Sequence, residues 1–196
     1  HNIQSSYLDI DQFGRTDAMS INGNGLLAAS FLTTLNKLTL RSDLDHLTLK
    51  PWAERVSTLG LLRVYPAWCS VCFFEWRQKG QPIYQPLFWM LQVMTICTTH
   101  MKELEDQCPY CGKYQSTFAT NTQPDVCSYC NSWLGMEFDA LAKSEIDIEI
   151  RNWQEWIGLS IEELHVNSIR TGTLSWEAFS NNLKACVNAI GSIKET

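Results

Sequence analysis

Trp68-Cys-Ser-Val-Cys72, Cys97-Thr-Thr-His100, Cys108-Pro-Tyr-Cys111-Gly112 and Cys127-Ser-Tyr-Cys130 lie in one part of a 196-residue chain and hold seven of its eight cysteines. Each segment carries two metal-ligand side chains with two residues between them. One tight turn aims such a pair at a single ion, and two turns complete a tetrahedral shell around zinc. The spacing therefore predicts two closed sites and two structural Zn2+ ions, with Cys69, Cys72, Cys97 and His100 around one and Cys108, Cys111, Cys127 and Cys130 around the other.

Fifteen residues separate Cys111 from Cys127, which is the spacing of a four-cysteine zinc ribbon. The insertion between Cys72 and Cys97 is longer, at 24 residues, but three thiolates and an imidazole make a standard structural shell. Zinc in small modules supplies on the order of 10–16 kcal/mol of folding energy, enough to replace the core that so short a segment lacks. Two rivals stand beside this reading. Iron can occupy paired Cys-x-x-Cys loops as in rubredoxin, although the histidine favours zinc. A RING-like cross-brace, as in a ubiquitin ligase, would join the first pair to the third and the second to the fourth. RING domains leave two or three residues between the histidine and the next cysteine, and here Met101 to Gln107 intervene, so sequential pairing is favoured.

With four protein ligands on each ion no position is left for a water, which argues against a hydrolytic metal site. Other catalytic patterns fail too. A zinc deaminase needs His-x-Glu and Pro-Cys-x-x-Cys, whereas Lys102 stands two after His100 and Pro109 follows Cys108. There is no His-Glu-x-x-His and no phosphate-binding Gly-x-x-x-x-Gly-Lys loop. The reading is of a protein without catalytic residues. Cys186 is expected to be a buried inert thiol, His46 and His165 surface or helix-end residues, and Trp68, Trp76, Trp89 and Trp133 filling around the metal turns, with a protein-binding surface as the alternative.

Away from the ligands, Leu26, Leu27, Ala29, Ser30, Phe31, Leu32, Leu35 and Leu38 predict a helix over about 25–38, started by the Asn22-Gly-Asn-Gly25 cluster. Residues 38–49 suit a strand pair or a loose connection before Pro51. Trp89 to Cys97 is rich in strand formers, and Met101 to Gln107 can form two helical turns. Ser144 is read as the cap of a helix ending at Gly158, and Ser160-Ile-Glu-Glu163 as the capping box of the next. A third helix is expected after Thr173, with Trp176, Phe179, Leu183, Val187 and Ile190 on one face. The chain thus reads as a small α+β protein of two tandem zinc-finger (ribbon or knuckle) modules with helical flanks: 1–62 helical or irregular, 63–135 the double module, 136–196 helical.

Paired spacing argues against disulfides, and no apolar run approaches the roughly 20 residues of a membrane-spanning helix; the thiols predict a cytoplasmic protein. The opening at His1, with a polar stretch to Gly25, suggests a fragment or processed form. The net charge is −6, the wrong sign for a chain that binds chiefly by neutralising phosphates. Residues 51–135 are balanced, at 6 basic and 6 acidic groups, while 136–196 carry 5 and 10. Arg63, Arg77, Lys79 and Lys113 are the candidates for phosphate contacts, against a reading as scattered solvated charges.

Taken together, Trp68 to Cys72, Trp89 to Cys97-Thr-Thr-His100, the following x-x-x-Leu104-x-x-x-Cys108-Pro-Tyr-Cys111-Gly112 and Cys127-Ser-Tyr-Cys130 resemble the TniQ family of bacterial transposition proteins. The resemblance covers about 63–135 closely, and 22–62 looks like the region before the fingers in longer members. It implies a non-catalytic adaptor in target-site selection in the bacterial cytoplasm. Its implied partners are a TnsC-like AAA+ ATPase, an RNA-guided Cas effector complex, and target DNA reached directly, as in TnsD-like relatives, or through that complex. A homodimer is compatible with it. The eight metal ligands carry over one by one onto the cysteines and histidine above. An autonomous zinc-finger DNA-binding protein is the remaining alternative.

Overall fold

The computed structural model describes residues 20–53, 56–57, 59–117, 123–137 and 147–171. These form a small α+β fold with three helices and one two-stranded sheet. Helix α1, Leu26–Thr39, follows Gly25 and buries Ala28 and Leu32, one turn apart. It ends where Leu40 turns left-handed at φ 55°. The helix expected over 25–38 is therefore displaced by one residue only.

Residues 38–49 form no strand pair. The chain instead makes two 3-10 turns, Leu44–Leu47 and Lys50–Trp52. Leu44, Leu49 and Trp52 are buried, and Pro51, which has no N–H for a ladder, sits in the first turn of the second. The Leu49 N–H donates to Asn22 O at 2.9 Å, tying these turns back to the segment before α1.

Helix α2, Ser70–Gln78, starts directly after the first ligand, with extended Cys69 at its N-cap. No helix was anticipated there. From Trp89 to Cys97 only the last two residues are strand: Leu87–Met90 is a 3-10 turn, and β1, Ile96–Cys97, pairs antiparallel with β2, Lys102–Glu103. The helical turns expected over 101–107 are thus replaced by extended chain. The reason is tertiary: Glu105 exchanges both backbone hydrogen bonds with Trp68, each at 2.8 Å. Trp68 is fully buried, so its backbone groups need protein partners, and that requirement outweighs local helix propensity.

Helix α3, Ile148–Thr171, is one continuous helix where two were expected. Asp147 Oδ1 accepts the Glu149 N–H at 2.8 Å at its start; Ser144 falls outside the described residues. Gly158 lies inside the helix because α3 packs on the loop of the second ligand pair, and a Cβ there would meet Thr98 Cγ2 at 2.4 Å. Ser160 is consequently interior and caps nothing. Gln154, also buried, donates from Nε2 to Val93 O at 3.0 Å and accepts the Thr95 N–H at 2.9 Å. The helix expected after Thr173, with Trp176, Phe179, Leu183, Val187, Ile190 and Cys186, lies outside the described residues.

Two apolar clusters result. One gathers Trp68, Val71, Phe73, Trp89 and Leu134 around buried cysteines. The other joins Leu49, Trp52, Leu91, Met94 and Ile157, and so draws on the N-terminal turns, the finger region and α3 together. Full burial of each such large side chain contributes roughly 1.5–3 kcal/mol. No helix among the described residues is long and apolar enough to cross a membrane.

Candidate metal centres

Three of the four ligand pairs fold into the same turn. The N–H of the residue after the pair donates to the carbonyl of its first member: Met101 to Cys97 at 2.8 Å, Gly112 to Cys108 at 2.8 Å and Asn131 to Cys127 at 3.0 Å. Each of these residues is left-handed, with φ of 49°, 67° and 57°. The Cys108 and Cys127 N–H groups then bond Lys113 O and Ser132 O, continuing each turn as a short hairpin. The fourth pair, Cys69 and Cys72, is built on a helix start, one residue at the cap of α2 and one in its first turn.

The structure brings the donors together in two groups that could each hold a metal ion: Cys69, Cys72, Cys97 and His100, and Cys108, Cys111, Cys127 and Cys130, each within 4.8 Å of one another. The grouping is sequential, so the RING-like cross-brace does not describe this chain. Tetrahedral bonds of about 2.3 Å to sulfur place neighbouring thiolates about 3.8 Å apart, with a somewhat shorter separation to an imidazole nitrogen. In the first group Cys72 and Cys97 Sγ are 3.6 Å apart, and His100 Nδ1 lies 3.5, 3.2 and 3.7 Å from the sulfurs of Cys69, Cys72 and Cys97. In the second, Cys108 to Cys130 and Cys111 to Cys127 are both 3.7 Å. The residues present fit an ion at each centre.

In the first group the thiols share charge among themselves. Contacts with Cys69, then Cys72, hold the Cys97 thiol down at about 2. Cys72 is pushed up by Cys69, then Cys97 and burial. A divalent ion entering here must displace the Cys72 proton, so its affinity rises with pH. In the second group burial pushes Cys108 up to about 12. Burial also opposes ionisation of Cys127, but the Cys130 and Tyr129 N–H groups and the Gln115 amide outweigh it and bring that thiol to about 6.

Around these donors, two supporting side chains carried no signal in the ligand spacing. His100 Nε2 lies 3.1 Å from Glu75 Oε1 on α2. Gln115, buried, donates from Nε2 to Lys113 O at 3.0 Å and to Cys127 Sγ at 3.5 Å, and accepts the Ser128 N–H at 3.0 Å. A carboxylate one turn after Cys72 becomes visible as a partner only once α2 is recognised.

Trp68, Trp76 and Trp89 fill the space around the first group, while Trp133 bridges to Val126 beside the second. Trp68 and Trp89 are buried, and Trp76 stacks on Trp89 with ring centroids 5.9 Å apart and on Tyr84 at 4.7 Å. The four basic residues considered for phosphate contacts are engaged within the protein: Arg63 donates to Leu91 O and Met94 O, Arg77 lies 3.7 Å over the Trp133 ring, Lys79 pairs with Glu75 at 2.8 Å, and Lys113 lies 4.8 Å over Tyr129. His165 is only partly at the surface and lies six residues before the end of α3. It is half-buried in the last third of α3, edge-on to Trp52, and burial, followed by the nearby His46, lowers its basicity. Neither His46 nor His165 belongs to a metal group among the described residues.

A family model described as TniQ matches residues 7–104, half of the chain. It includes every donor of the first group and stops short of Cys108. The matched span thus reaches further back than the 63–135 over which the ligand motifs carry the resemblance, and does not extend to the second group. No curated protein matches the chain.

Proposed function

The chain belongs to the TniQ family of transposition-associated proteins, and from that membership we propose that it is a non-catalytic adaptor in transposon target-site selection. It links a target-recognition complex, either an RNA-guided Cas effector or a DNA attachment site, to a TnsC-like AAA+ regulator in the bacterial cytoplasm. Two zinc ions fold its centre. Three thiolates with one imidazole, and four thiolates, are donor sets suited to zinc, and four protein ligands leave no open position for catalysis.

One observation carries this reading: the family match encloses a complete four-donor group packed into the apolar core, so the matched unit is built around its metal centre. The occupied basic side chains and the net charge of −6 favour a partner-mediated route to DNA over autonomous binding. Mixing the chain with a TnsC-like ATPase, ATP and duplex DNA, and sedimenting against a DNA-only control, tests it. The expected result is co-sedimentation only with the ATPase filament. Binding to duplex alone, with steep salt dependence, would favour a DNA reader, and binding to neither would overturn the adaptor role of these residues.

A further inference from the structure

We propose that Glu75 is a positioning residue of the first metal centre, holding the His100 ring by its far nitrogen so that Nδ1 faces the ion. The inference rests on the zinc reading of that centre and adds a residue to it. His100 Nδ1 points at the three sulfurs, between 3.2 and 3.7 Å away. A neutral imidazole that gives its Nδ1 lone pair to a metal carries its proton on Nε2, and that N–H needs an acceptor. Glu75 Oε1 stands 3.1 Å from it. A carboxylate in this place fixes the tautomer, orients the ring and raises its basicity as a ligand.

Helix α2 supplies the geometry. Cys72 and Glu75 are three residues apart and share a face, so one rigid element presents both a ligand and the support of another ligand. The carboxylate is restrained in turn, because Oε2 accepts from Lys79 Nζ at 2.8 Å, one further turn along. His100 is nearly enclosed, with 11% of its side chain exposed against 42% for Glu75. Water reaches the carboxylate and weakens the pair, which places the expected effect near the lower end of the 10- to 100-fold range for such partners.

The test uses the full chain with Glu75→Ala and Glu75→Gln, competing Zn2+ between the protein and a chromophoric chelator. Histidine labelled with 15N reports the Nε2–H by NMR. Wild type is expected to bind two zinc ions and to show a protected Nε2–H. Glu75→Ala should weaken one binding event about tenfold and lose that protection, with the other event unchanged. Glu75→Gln, whose amide oxygen still accepts, should keep the Nε2–H and recover part of the affinity. Should Glu75→Ala not fold, the near-isosteric Gln variant decides alone, by a several-fold loss at one site with the signal retained. Unchanged affinity and an unchanged signal would overturn the proposal while leaving the zinc reading intact; equal weakening of both sites would mark Glu75 as merely structural. A wild-type chain that takes up no zinc at the Cys69 group would remove the zinc reading and this proposal with it.

Discussion

At the first metal centre a helix start meets one tight turn, and at the second two tight turns face each other. Cys69, Cys72 and Cys97 are buried among Trp68, Phe73 and Trp89. At the second centre only Cys108 and Cys127 are buried, while Cys111 is half-buried and Cys130 exposed. The Cys-x-x-Cys or Cys-x-x-His spacing is common to both, so spacing fixes how donors converge without fixing what they support. The difference lies in the intervening chain. The 24 residues between Cys72 and Cys97 contain the rest of α2 and the aromatic 3-10 turn, and they wrap the first group in apolar side chains. Among the described residues, the shorter segment between Cys111 and Cys127 contributes Gln115, a polar staple, and the second centre reaches the same apolar cluster through Cys108 and Cys127 while Cys130 stays outside it.

Removing one ligand from each centre should break this comparison most forcefully. Cys97→Ser strips a donor from the middle of the apolar cluster, so it is expected to release one zinc of two and to lose the near-UV circular dichroism of the stacked Trp76 and Trp89. The stabilisation at stake is a large share of the about 10–16 kcal/mol that structural zinc contributes. Cys130→Ser should also release one zinc, yet keep the tryptophan signal. If both variants lose that signal, the second centre supports the core as much as the first, and the contrast fails.

Acid should separate the centres by a smaller margin. Cys127, held at about 6, is mostly thiolate at pH 7 and mostly thiol at pH 5, whereas Cys97, held at about 2, remains thiolate throughout. Below pH 6 the second centre therefore gains a proton that the ion must displace, and its affinity falls by an additional factor of about ten per pH unit, or roughly 1.4 kcal/mol. Cobalt-loaded protein followed by its sulfur-to-metal charge-transfer bands, with Cys130→Ser isolating the first centre, should show the second emptying at the higher pH. The reverse order would show that the contacts of Cys97 with Cys69 and Cys72 do not keep that thiolate ionised in acid.

The parts of this architecture that were legible in the sequence are those fixed by short-range rules. Apolar residues at helical spacing located α1, and the paired ligands located both donor groups. What escaped depends on contacts distant in the chain. The extended path of 101–107 follows from Glu105 bonding Trp68, a partner more than thirty positions away. The glycine inside α3 follows from Thr98 leaving no room for a Cβ at that position; a Gly inside a helix costs about 1 kcal/mol relative to Ala, so local sequence alone points to a break there. The capping box at Ser160 was a pattern match that lost its meaning once the helix ran through it. Glu75 becomes visible only with α2, and the spacing of Cys69 and Cys72 suits a helix start as well as a turn.

The smallest effect sharpens the comparison at the turns themselves. Gly112 and Met101 occupy the same place after their ligand pairs, both left-handed, at φ 67° and 49°. Met101 is half-buried in the chain between β1 and β2, so the surrounding structure over-determines its conformation. Gly112 is exposed, and a Cβ there would find no atom within 4 Å. Gly112→Ala thus adds no clash and changes only the backbone cost of the left-handed region, about 1 kcal/mol or slightly more. Gly112→Asn should cost less, because a short polar side chain tolerates that region. Chelator competition should show weaker zinc binding at the second centre alone, by about fivefold for the alanine variant at 1.4 kcal/mol per factor of ten. An equal loss for Ala and Asn would mean that the turn is limited by something other than its φ, and a loss at the first centre would mean that the two sites are coupled through the chain between them.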